Sequence, residues 1–583
     1  MYDRWNLDKM YHGFSDPSFA SDMQKLQKTA ESFTELVNTI ELTASVRNGV
    51  LLLEEFTATF AKLAEYCSLV QAADTKNTEA TSKLGQIIAI YSGMQGPIAS
   101  FQKYISTLPD EEIKALTEMD EVLGAYKFMF SQIKEDSKYL LDAKCEEIIA
   151  RMSMSGGNAW SDLQSYLTST VPVEYEGKII NLSSVRNLAY DKDPEVRKKA
   201  YEAELKCYDR IKDAVAFALN SIKLETITET KLRGYESPLD KTLKGSRMKR
   251  ETLDAMMSAM EEYMPVFRDY LKAKAHALGH KNGLPWYDLF APMGKSGKTY
   301  TVEEAKAYLL DLFGTFDKEL RDMVERAFDE EWIDFFPRDG KQGGAFCSGV
   351  ESLGESRILT NYDGSFSDIV TLAHELGHAF HNQCISDHRV LNRDYSMPVA
   401  ETASTFNECV VMNAAIKAAT DKDEKLALIE SQLMDATQII CDIYSRFTFE
   451  KSVFDNREQQ FMSADDLCAF MIEAQKKSYG DGLDENVRHP YMWVCKGHYY
   501  GPIFYNFPYA FGGLFARGLY AQYEREGEAF LPKYKKLLHD TTVTTVEGAA
   551  LIADIDLTDR KFWESGLQSI ADQIKEFIEL VEA

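Results

Sequence analysis

Paired cysteines and long apolar runs are missing from this 583-residue sequence. Its nine cysteines are odd in number and include no C-x-x-C pair, which argues against a disulfide framework or a thiolate zinc site and predicts free thiols. No stretch of about 18 apolar residues occurs, so we expect no transmembrane helix. The first residues have neither a basic nor an apolar region, so we expect no secretory signal. These absences favour a cytoplasmic protein.

Basic residues are also scarce. The chain has 65 Lys and Arg against 92 Asp and Glu, for a net charge of −27. Such a surface repels phosphate backbones and anionic lipid heads, so we expect no nucleic-acid partner and no membrane partner. With 45% hydrophobic residues the chain can bury a large core. No linker rich in Pro, Gly or Ser divides it, so we place one soft boundary near residue 195.

Helical periodicity dominates the sequence, which predicts a mainly α fold with a small β-sheet. Apolar residues recur at spacings of three and four from residue 17 to 155. The stretch 171–180 is typical of a small hairpin, and Asp193-Pro194 of a helix start. Residues 357–362 are the best strand candidate. The glycine-rich stretch 339–349 lacks a phosphate-loop ending, and we interpret it as a flexible turn in preference to a binding loop.

A His-Glu-x-x-His motif is the most informative feature. Ser365 and Asp368 form a capping box that predicts a helix start just before it. His374 and His378 then lie one turn apart on the same helix face, away from the apolar stripe, where both can reach one Zn²⁺. Glu375 stands beside the first histidine, where it can take a proton from a zinc-activated water. The simpler alternative is a pair of surface histidines.

A catalytic zinc needs a third protein ligand. Glu401 lies in a predicted second helix that runs to about residue 419, and a reversal between the helices could bring it to face the histidines. A solvated glutamate near a helix start is an equally good interpretation of its spacing. His381 and His388 are competing third ligands. Glu408, two turns further on the same face, could orient a ligand imidazole.

Tyrosine, phenylalanine and histidine are dense in residues 488–513. We interpret most of them as a buried aromatic patch. A few hydroxyl or imidazole donors could face the zinc, since donors aimed at a tetrahedral oxyanion can each contribute about 3–4 kcal/mol.

Three stretches, 371–381, 400–408 and 497–512, carry a family resemblance. Together they resemble the thimet oligopeptidase / oligoendopeptidase F family of zinc metallopeptidases, and the oligoendopeptidase F branch in particular. The resemblance implies a large, bowl-like helical zincin with a deep channel for short peptides and one zinc ion. In that fold, residues 1–195 would form a channel wall or lid and residues 196–583 the catalytic domain.

The resemblance also implies roles for individual residues. It implies that Glu401 is the third zinc ligand. It implies His498, Tyr505 and Tyr509 as transition-state donors, with Tyr499 and Tyr500 as possible substitutes. The strand at 357–362 would be the edge that pairs with the substrate backbone.

The predicted activity is therefore that of a zinc metalloendopeptidase acting on short oligopeptides. In this hypothesis His374, His378 and Glu401 hold the zinc, and Glu375 is the general base. Two alternatives stay open. One is a zinc exopeptidase that removes dipeptides from a carboxyl end, and the other is a non-catalytic peptide-binding protein with a vestigial site.

Overall fold

The computed structural model describes residues 4–40, 45–294 and 298–582. Helices make up most of it, and the predicted mainly α fold with a small β-sheet is confirmed. Buried apolar side chains form two clusters. One extends from Trp5 to Phe130 and also includes Val350 and Leu359 of the sheet, so the N-terminal helices rest on that sheet. The other extends from Val171 onward. The boundary near residue 195 stays a prediction.

The N-terminal region is a stack of helices whose apolar stripes face one another. The helical spacing noted between residues 17 and 155 accordingly corresponds to helices in the structure. Asp16 caps the first of them by accepting a hydrogen bond from the backbone N–H of Ser18. The helices of this region are α1 Pro17–Asn38, α2 Ser45–Ala73, α3 Thr78–Thr107, α4 Asp110–Met119, α5 Glu121–Ala125, α6 Lys127–Asp136, α7 Ala143–Ser155 and α8 Gly157–Thr170.

A β-hairpin follows, as predicted. Its strands, β1 Val173–Tyr175 and β2 Lys178–Ile180, are antiparallel and joined at Glu176-Gly177, where both residues have positive φ. Asp193 caps the next long helix, with Pro194 in its first turn, as predicted. The helices of this part are α9 Leu182–Asn187, α10 Pro194–Tyr208, α11 Lys212–Arg233, α12 Pro238–Gly245, α13 Arg250–Ala277, α14 Val302–Phe316 and α15 Lys318–Asp329.

A three-stranded sheet lies beside the motif helix. Its strands are β3 Ile333–Asp334, β4 Phe346–Val350 and β5 Glu355–Leu359, in the order β3-β5-β4. The strand predicted at 357–362 is thus the central strand β5, and its prediction as the substrate-pairing edge is wrong because β3 and β4 cover both of its sides. The edge strand β4 takes up residues 346–349 of the glycine-rich stretch, so the interpretation of the stretch as a turn is wrong for that part, whereas residues 339–345 do lie in turns and bends.

The motif helix α16 spans Phe366–Cys384 and begins at the predicted capping box. The second helix, predicted to contain Glu401 and run to about residue 419, is in fact two helices, α17 Met397–Ala400 and α18 Thr402–Ala418. Glu401 is the residue between them, with φ −92° and ψ 9°. The break turns its backbone out of the helical path just where α18 meets α16.

The C-terminal region packs around these helices. The last helix lies along α13, and its Trp563 and Phe577 are fully buried. The helices are α19 Lys422–Thr437, α20 Ile443–Arg457, α21 Ala464–Tyr479, α22 Met492–Cys495, α23 Phe507–Glu526, α24 Leu531–Asp540, α25 Val546–Leu551 and α26 Arg560–Glu582.

Within the described residues, none of the helices combines the length and the apolar character that a bilayer crossing requires. All nine cysteines lie in the described part of the chain and are free thiols.

Candidate active site

Three side chains converge between α16 and the start of α18. Nε2 of His374 lies 3.2 Å from Nε2 of His378. Oε2 of Glu401 lies 3.3 Å from each of these nitrogen atoms. The three atoms therefore form a nearly equilateral triangle, with one lone-pair donor at each corner.

This triangle fits a metal ion. A tetrahedral zinc with bonds of about 2.0 Å holds its ligand atoms about 3.3 Å apart, which is the spacing of the three atoms. Two imidazole nitrogens and one carboxylate oxygen are also the ligand set of catalytic zinc sites, which keep a fourth position open. His374, His378 and Glu401 could thus hold one such ion without rearrangement.

Close helix packing brings Glu401 to the histidines. Gly377 of α16 lies directly against α18: a Cβ atom on it would be 2.5 Å from the carbonyl oxygen of Ala403. Asn407 ties the same pair of helices by donating from Nδ2 to the carbonyl oxygen of Ala373, at 3.1 Å. Ser404 donates to Oε2 of Glu401, at 2.8 Å, and so orients the carboxylate.

Glu408 holds the ring of His374. Its Oε1 atom lies 2.5 Å from Nδ1 of the ring, so it accepts the Nδ1 proton and turns Nε2, the nitrogen that could bind a metal, toward the site. Burial lowers the pKa of His374, but the hydrogen bond to Glu408 and the charges of Glu401 and Glu375 outweigh burial and raise it to about 9. This contact matches the orienting role predicted for Glu408.

The two glutamates of the site differ in pKa. Burial acts to raise the pKa of Glu401, but the two histidines outweigh it and hold this pKa at about 2. Glu375 is 6% exposed, and burial raises its pKa in spite of His374 and His378. Glu401 is therefore a permanent anion, whereas Glu375 is a carboxyl group more ready to take up a proton.

The competing third ligands lie elsewhere. His381 is fully buried, stacks on Tyr395 and shares a hydrogen bond of 2.9 Å between Nε2 and Oγ1 of Thr541. Burial lowers its pKa to about 3. His388 lies beyond the end of α16 and bonds the backbone of His539. Neither belongs to the group formed by His374, His378 and Glu401, so their prediction as alternative ligands is wrong.

A cavity of about 640 Å³ opens onto the three converging side chains. One wall is α16, with Glu375 among the lining residues, and the opposite wall is the whole of the edge strand β4 (Phe346–Val350). Cys347 of this strand lies close enough to Glu375 for the carboxylate to help raise the pKa of the thiol, which burial raises most. The cavity thus lies between a free strand edge and the candidate metal ligands.

Acidic side chains are also part of the cavity wall. Glu65, from α2, and Glu351 are among the lining residues. Oε2 of Glu65 is buried without a hydrogen-bond partner among the described residues, and burial next to Glu351 raises the pKa of Glu65 to about 9. Arg393 is the one lysine or arginine among the lining residues, and it bonds the backbone carbonyls of Ser386 and His388.

His498, Tyr505 and Tyr509 form one cluster, although none of them lines the cavity. The ring of His498 lies 5.3 Å from that of Tyr505 and 5.8 Å from that of Tyr509. Glu401 is among the groups that raise the pKa of Tyr509 to about 12, after burial and Tyr505, so the cluster neighbours the candidate metal ligands.

The cluster gives its members different hydrogen-bonding roles. Oδ1 of Asn506 accepts from Arg446 and also faces Nδ1 of His498, at 3.2 Å. The imidazole proton therefore belongs on Nδ1, and Nε2 is left as an acceptor. Burial, with Arg446, lowers the pKa of His498, so its ring is neutral at pH 7.

Tyr499 and Tyr500 cannot replace these tyrosines. Tyr499 is fully buried and packs against Phe449. Tyr500 is 3% exposed, and its hydroxyl donates to the backbone carbonyl of Trp493. Their prediction as substitute donors is wrong because both rings belong to the core.

Sequence reasoning missed several residues of the cavity. Glu65 lies far from the motif in sequence and has no local signal that could have identified it. Strand β4 did have a local signal, because the glycine-rich stretch that contains most of it was considered as a binding loop. Arg393 and Tyr395, which also line the cavity, follow α16 in a segment that was interpreted only as a reversal.

Two family models match the chain. "Peptidase family M3" matches residues 187–539, which is more than half of the chain, and "Oligopeptidase F" matches residues 105–171. Proteins of this first family are metallopeptidases, so the chain has the sequence of an enzyme that hydrolyses peptides.

Individual relatives agree with these models. Oligopeptidase PepF of Bacillus subtilis is 22% identical over 99% of this chain and 87% of its own length. An oligoendopeptidase F homolog of Lactococcus lactis is 22% identical over 99% of this chain and 97% of its own length.

The fold has solved counterparts. The crystal structure of oligoendopeptidase-F from Enterococcus faecium superposes with a TM-score of 0.72 at 18% identity, covering 97% of this chain and 98% of that one. The resemblance noted in the sequence is confirmed. With the family models, the full-length relatives and the shared fold all in agreement, the chain belongs to peptidase family M3, in its oligoendopeptidase F branch.

Proposed function

We propose that this chain is a zinc-dependent endopeptidase that cleaves short oligopeptides. The observation that carries the proposal is the triangle formed by His374, His378 and Glu401, whose sides match the ligand spacing of a tetrahedral ion. A zinc ion held there would supply Lewis-acid chemistry, since it would polarise a carbonyl group and lower the pKa of water to about 7.

Glu375 is the proposed general base. It lines the cavity next to the ligands, and its position one residue after His374 places it about 100° further round the helix. Its raised pKa suits a group that takes a proton from water and then passes it to the leaving amine. Glu401, whose pKa is about 2, is too weak a base for that step.

The edge strand β4 is the proposed platform for substrate. Every residue from Phe346 to Val350 lines the cavity, while the other edge of the strand is paired with β5. An extended peptide can add to such an edge through main-chain hydrogen bonds, which hold many different sequences alike. This arrangement supports an enzyme that accepts varied short peptides.

Tyr505 and Tyr509 are the proposed donors to the transition-state oxyanion. The pKa of Tyr509 is raised to about 12, so its hydroxyl group keeps its proton at neutral pH, and the cluster that it forms with Tyr505 neighbours Glu401. His498 was expected to donate as well. With its proton on Nδ1 the ring supports a positioning role, in which Nε2 accepts a hydrogen bond.

Charge in the cavity favours an endopeptidase over a carboxyl-terminal exopeptidase. The exopeptidase would need a free cation to bind the terminal carboxylate of its substrate. Arg393 is the only lysine or arginine among the lining residues, and two backbone carbonyls and Glu351 already occupy its guanidinium group.

The test uses internally quenched peptides blocked at both ends. The zinc-loaded wild-type protein should cleave them, and Glu375→Gln should bind zinc equally well yet lose at least a thousandfold in kcat. Glu79→Gln, at an exposed glutamate of α3, is the matched control and should keep full activity. Normal turnover by Glu375→Gln would show that the base is wrongly assigned.

Two other outcomes decide between the alternatives. Cleavage confined to peptides with a free carboxyl end would establish the exopeptidase. Absence of stoichiometric zinc in elemental analysis, together with peptide binding but no cleavage, would establish the vestigial binding protein.

A further inference from the structure

A second group of metal-binding side chains lies beyond the C-terminal end of α16. Asp387 and His388 follow the last turn of that helix, and His539 is in the last turn of α24. One donor atom from each of the three side chains lies within 4.8 Å of the donor atoms of the other two. We propose that Asp387, His388 and His539 form a second site for a divalent transition-metal ion of the zinc type.

The ring of His388 is held in the form that a metal ligand needs. Its Nε2 atom donates to the backbone carbonyl oxygen of His539, at 2.8 Å. The neutral ring therefore carries its lone pair on Nδ1, which has no hydrogen-bond partner among the described residues. An imidazole that donates one N–H to a carbonyl group and keeps the other nitrogen free is typical of metal-ligating histidines.

The ring of His539 has the complementary arrangement. Its Nδ1 atom donates to the carboxylate of Asp540, and its Nε2 atom lies 3.2 Å from Oδ1 of Asp387. The carboxylate of Asp540 fixes the orientation of the ring, as in the carboxylate–histidine pairs behind zinc ligands. The separation of 3.2 Å is close to the spacing of about 3.3 Å between two ligands of one tetrahedral ion.

The two rings are also close to each other, with centroids 4.1 Å apart and planes tilted by 40°. His388 and His539 are half-buried, whereas the side chain of Asp387 is 74% exposed. Two nitrogen ligands thus come from half-buried side chains, and the carboxylate comes from an exposed one. This set of two imidazoles and one carboxylate suits zinc and its neighbours, and not calcium or magnesium, which prefer oxygen ligands.

Without a metal, the same side chains would form an ion pair. A protonated His539 could bridge the carboxylates of Asp387 and Asp540. That arrangement gives no role to Nδ1 of His388, the nitrogen that would bind the ion in the proposed site. The two possibilities differ in metal stoichiometry, which can be measured directly.

An ion at this site would join the substrate cavity to α24. Ile385 and Ser386, directly before Asp387, line the cavity. Arg393, which also lines it, donates to the backbone carbonyls of Ser386 and His388, at 2.8 Å each. Occupation of the second site would therefore immobilise this part of the cavity wall and raise the melting temperature of the protein.

The experiment counts zinc in the full-length protein after equilibration with micromolar free zinc, by elemental analysis. The wild-type chain should hold two ions and His539→Gln one. Asp387→Asn changes an exposed side chain that the fold does not need. It should raise the Kd of the second zinc ion at least tenfold and abolish the rise in melting temperature that this ion causes. His12→Gln is the matched control, since His12 also lies near an aspartate, 3.9 Å from Asp8, without a third ligand nearby. It should hold two ions.

A His374→Ala/His378→Ala variant separates this proposal from the proposed function. It should keep one ion, bound at Asp387, His388 and His539. One ion in the wild type and none in this double variant would overturn the second site and leave the catalytic centre intact. Two ions in a folded His539→Gln, or unchanged zinc affinity in Asp387→Asn, would also overturn it. One ion in the wild type and one in the double variant would support the second site and overturn the catalytic one.

Discussion

Gly377 lies against Ala403 so closely that the motif helix and the helix after Glu401 are in backbone contact. A Cβ atom on Gly377 would lie 2.5 Å from the carbonyl oxygen of Ala403 and 2.6 Å from Cα of Ser404. Both are backbone atoms, so a side-chain rotation cannot relieve the clash. The missing side chain of one residue therefore allows the carboxylate of Glu401 to reach the two histidines.

Gly377→Ala should separate α16 from α18 and weaken the candidate metal centre. We expect a destabilisation of about 1–3 kcal/mol from overpacking, together with a loss of zinc affinity, because Glu401 moves with α18. Zinc titration and the melting temperature measure the two effects. Gly93→Ala is the matched control, since Gly93 is helical and has open space around its Cβ position. Unchanged zinc affinity in Gly377→Ala would contradict the role of this close approach.

Glu408→Ala should lower zinc affinity by about 10–100-fold, because His374 would lose the carboxylate that fixes its ring. Glu408→Gln keeps an acceptor oxygen for the Nδ1 proton and should retain most of the affinity. Competition with a chelator of known affinity measures both variants. Equal losses in the two would indicate that the charge of Glu408 matters more than the hydrogen bond.

Glu65→Gln should make the protein more stable at neutral pH. Burial raises the pKa of Glu65 from 4.5 to about 9, so the carboxyl group stays protonated in the folded protein at pH 7. In the unfolded chain the carboxyl group of Glu65 ionises above pH 4.5. Its contribution to the free energy of unfolding is therefore fully present below pH 4.5 and is lost progressively as the pH rises to about 9. Glutamine does not ionise, so Glu65→Gln should not lose stability in this way. Its free energy of unfolding at pH 7 should exceed that of the wild type by at most about 3 kcal/mol.

Melting temperatures of wild type and Glu65→Gln across the pH range check this. The difference between the two melting temperatures should be constant below pH 4.5, the usual pKa of the group, and should grow above it. The exposed Glu79→Gln should follow the wild type throughout. A constant difference between wild type and Glu65→Gln at all pH values would point to packing and not to ionisation.

Lys274→Met should destabilise the protein by about 3–5 kcal/mol, because it leaves the buried carboxylate of Glu430 without its cation. This ion pair joins α13 to α19 and is almost fully buried. The double variant Lys274→Met/Glu430→Leu should recover most of the melting temperature, since no buried charge is then left. Lys199→Met, at an exposed pair with Glu176, is the control and should cost at most about 1 kcal/mol. A double variant no more stable than Lys274→Met would contradict the argument.

Local patterns predicted the elements that depend on local chemistry. The capping box at Ser365, the cap and proline at Asp193-Pro194 and the hairpin within 171–180 all lie where the sequence predicts them. Each depends on hydrogen bonds or dihedral angles within a few residues, so neighbouring side chains suffice to define it. The same holds for His374 and His378, because a helix alone brings them onto one face.

Elements that depend on distant partners were predicted less well. The strand at 357–362 was recognised, but its position in the sheet depends on where β3 and β4 pair, and the edge was therefore assigned to the wrong strand. The break at Glu401 has no signal in its own residues. Tyr499 and Tyr500 have the same composition as the cluster around Tyr509, and only packing shows that they are core residues.

The sequence by itself determined the family, the mainly helical build, the paired histidines and the glutamate between them, because these depend on residue identity and short-range spacing. Only the tertiary structure decided that Glu401 completes a triangle with the histidines, that β4 is the free edge and that Glu65 faces the cavity. Each of these joins residues far apart in the chain. Their proximity is set by how helices and strands bury their apolar faces against one another, which no local pattern specifies.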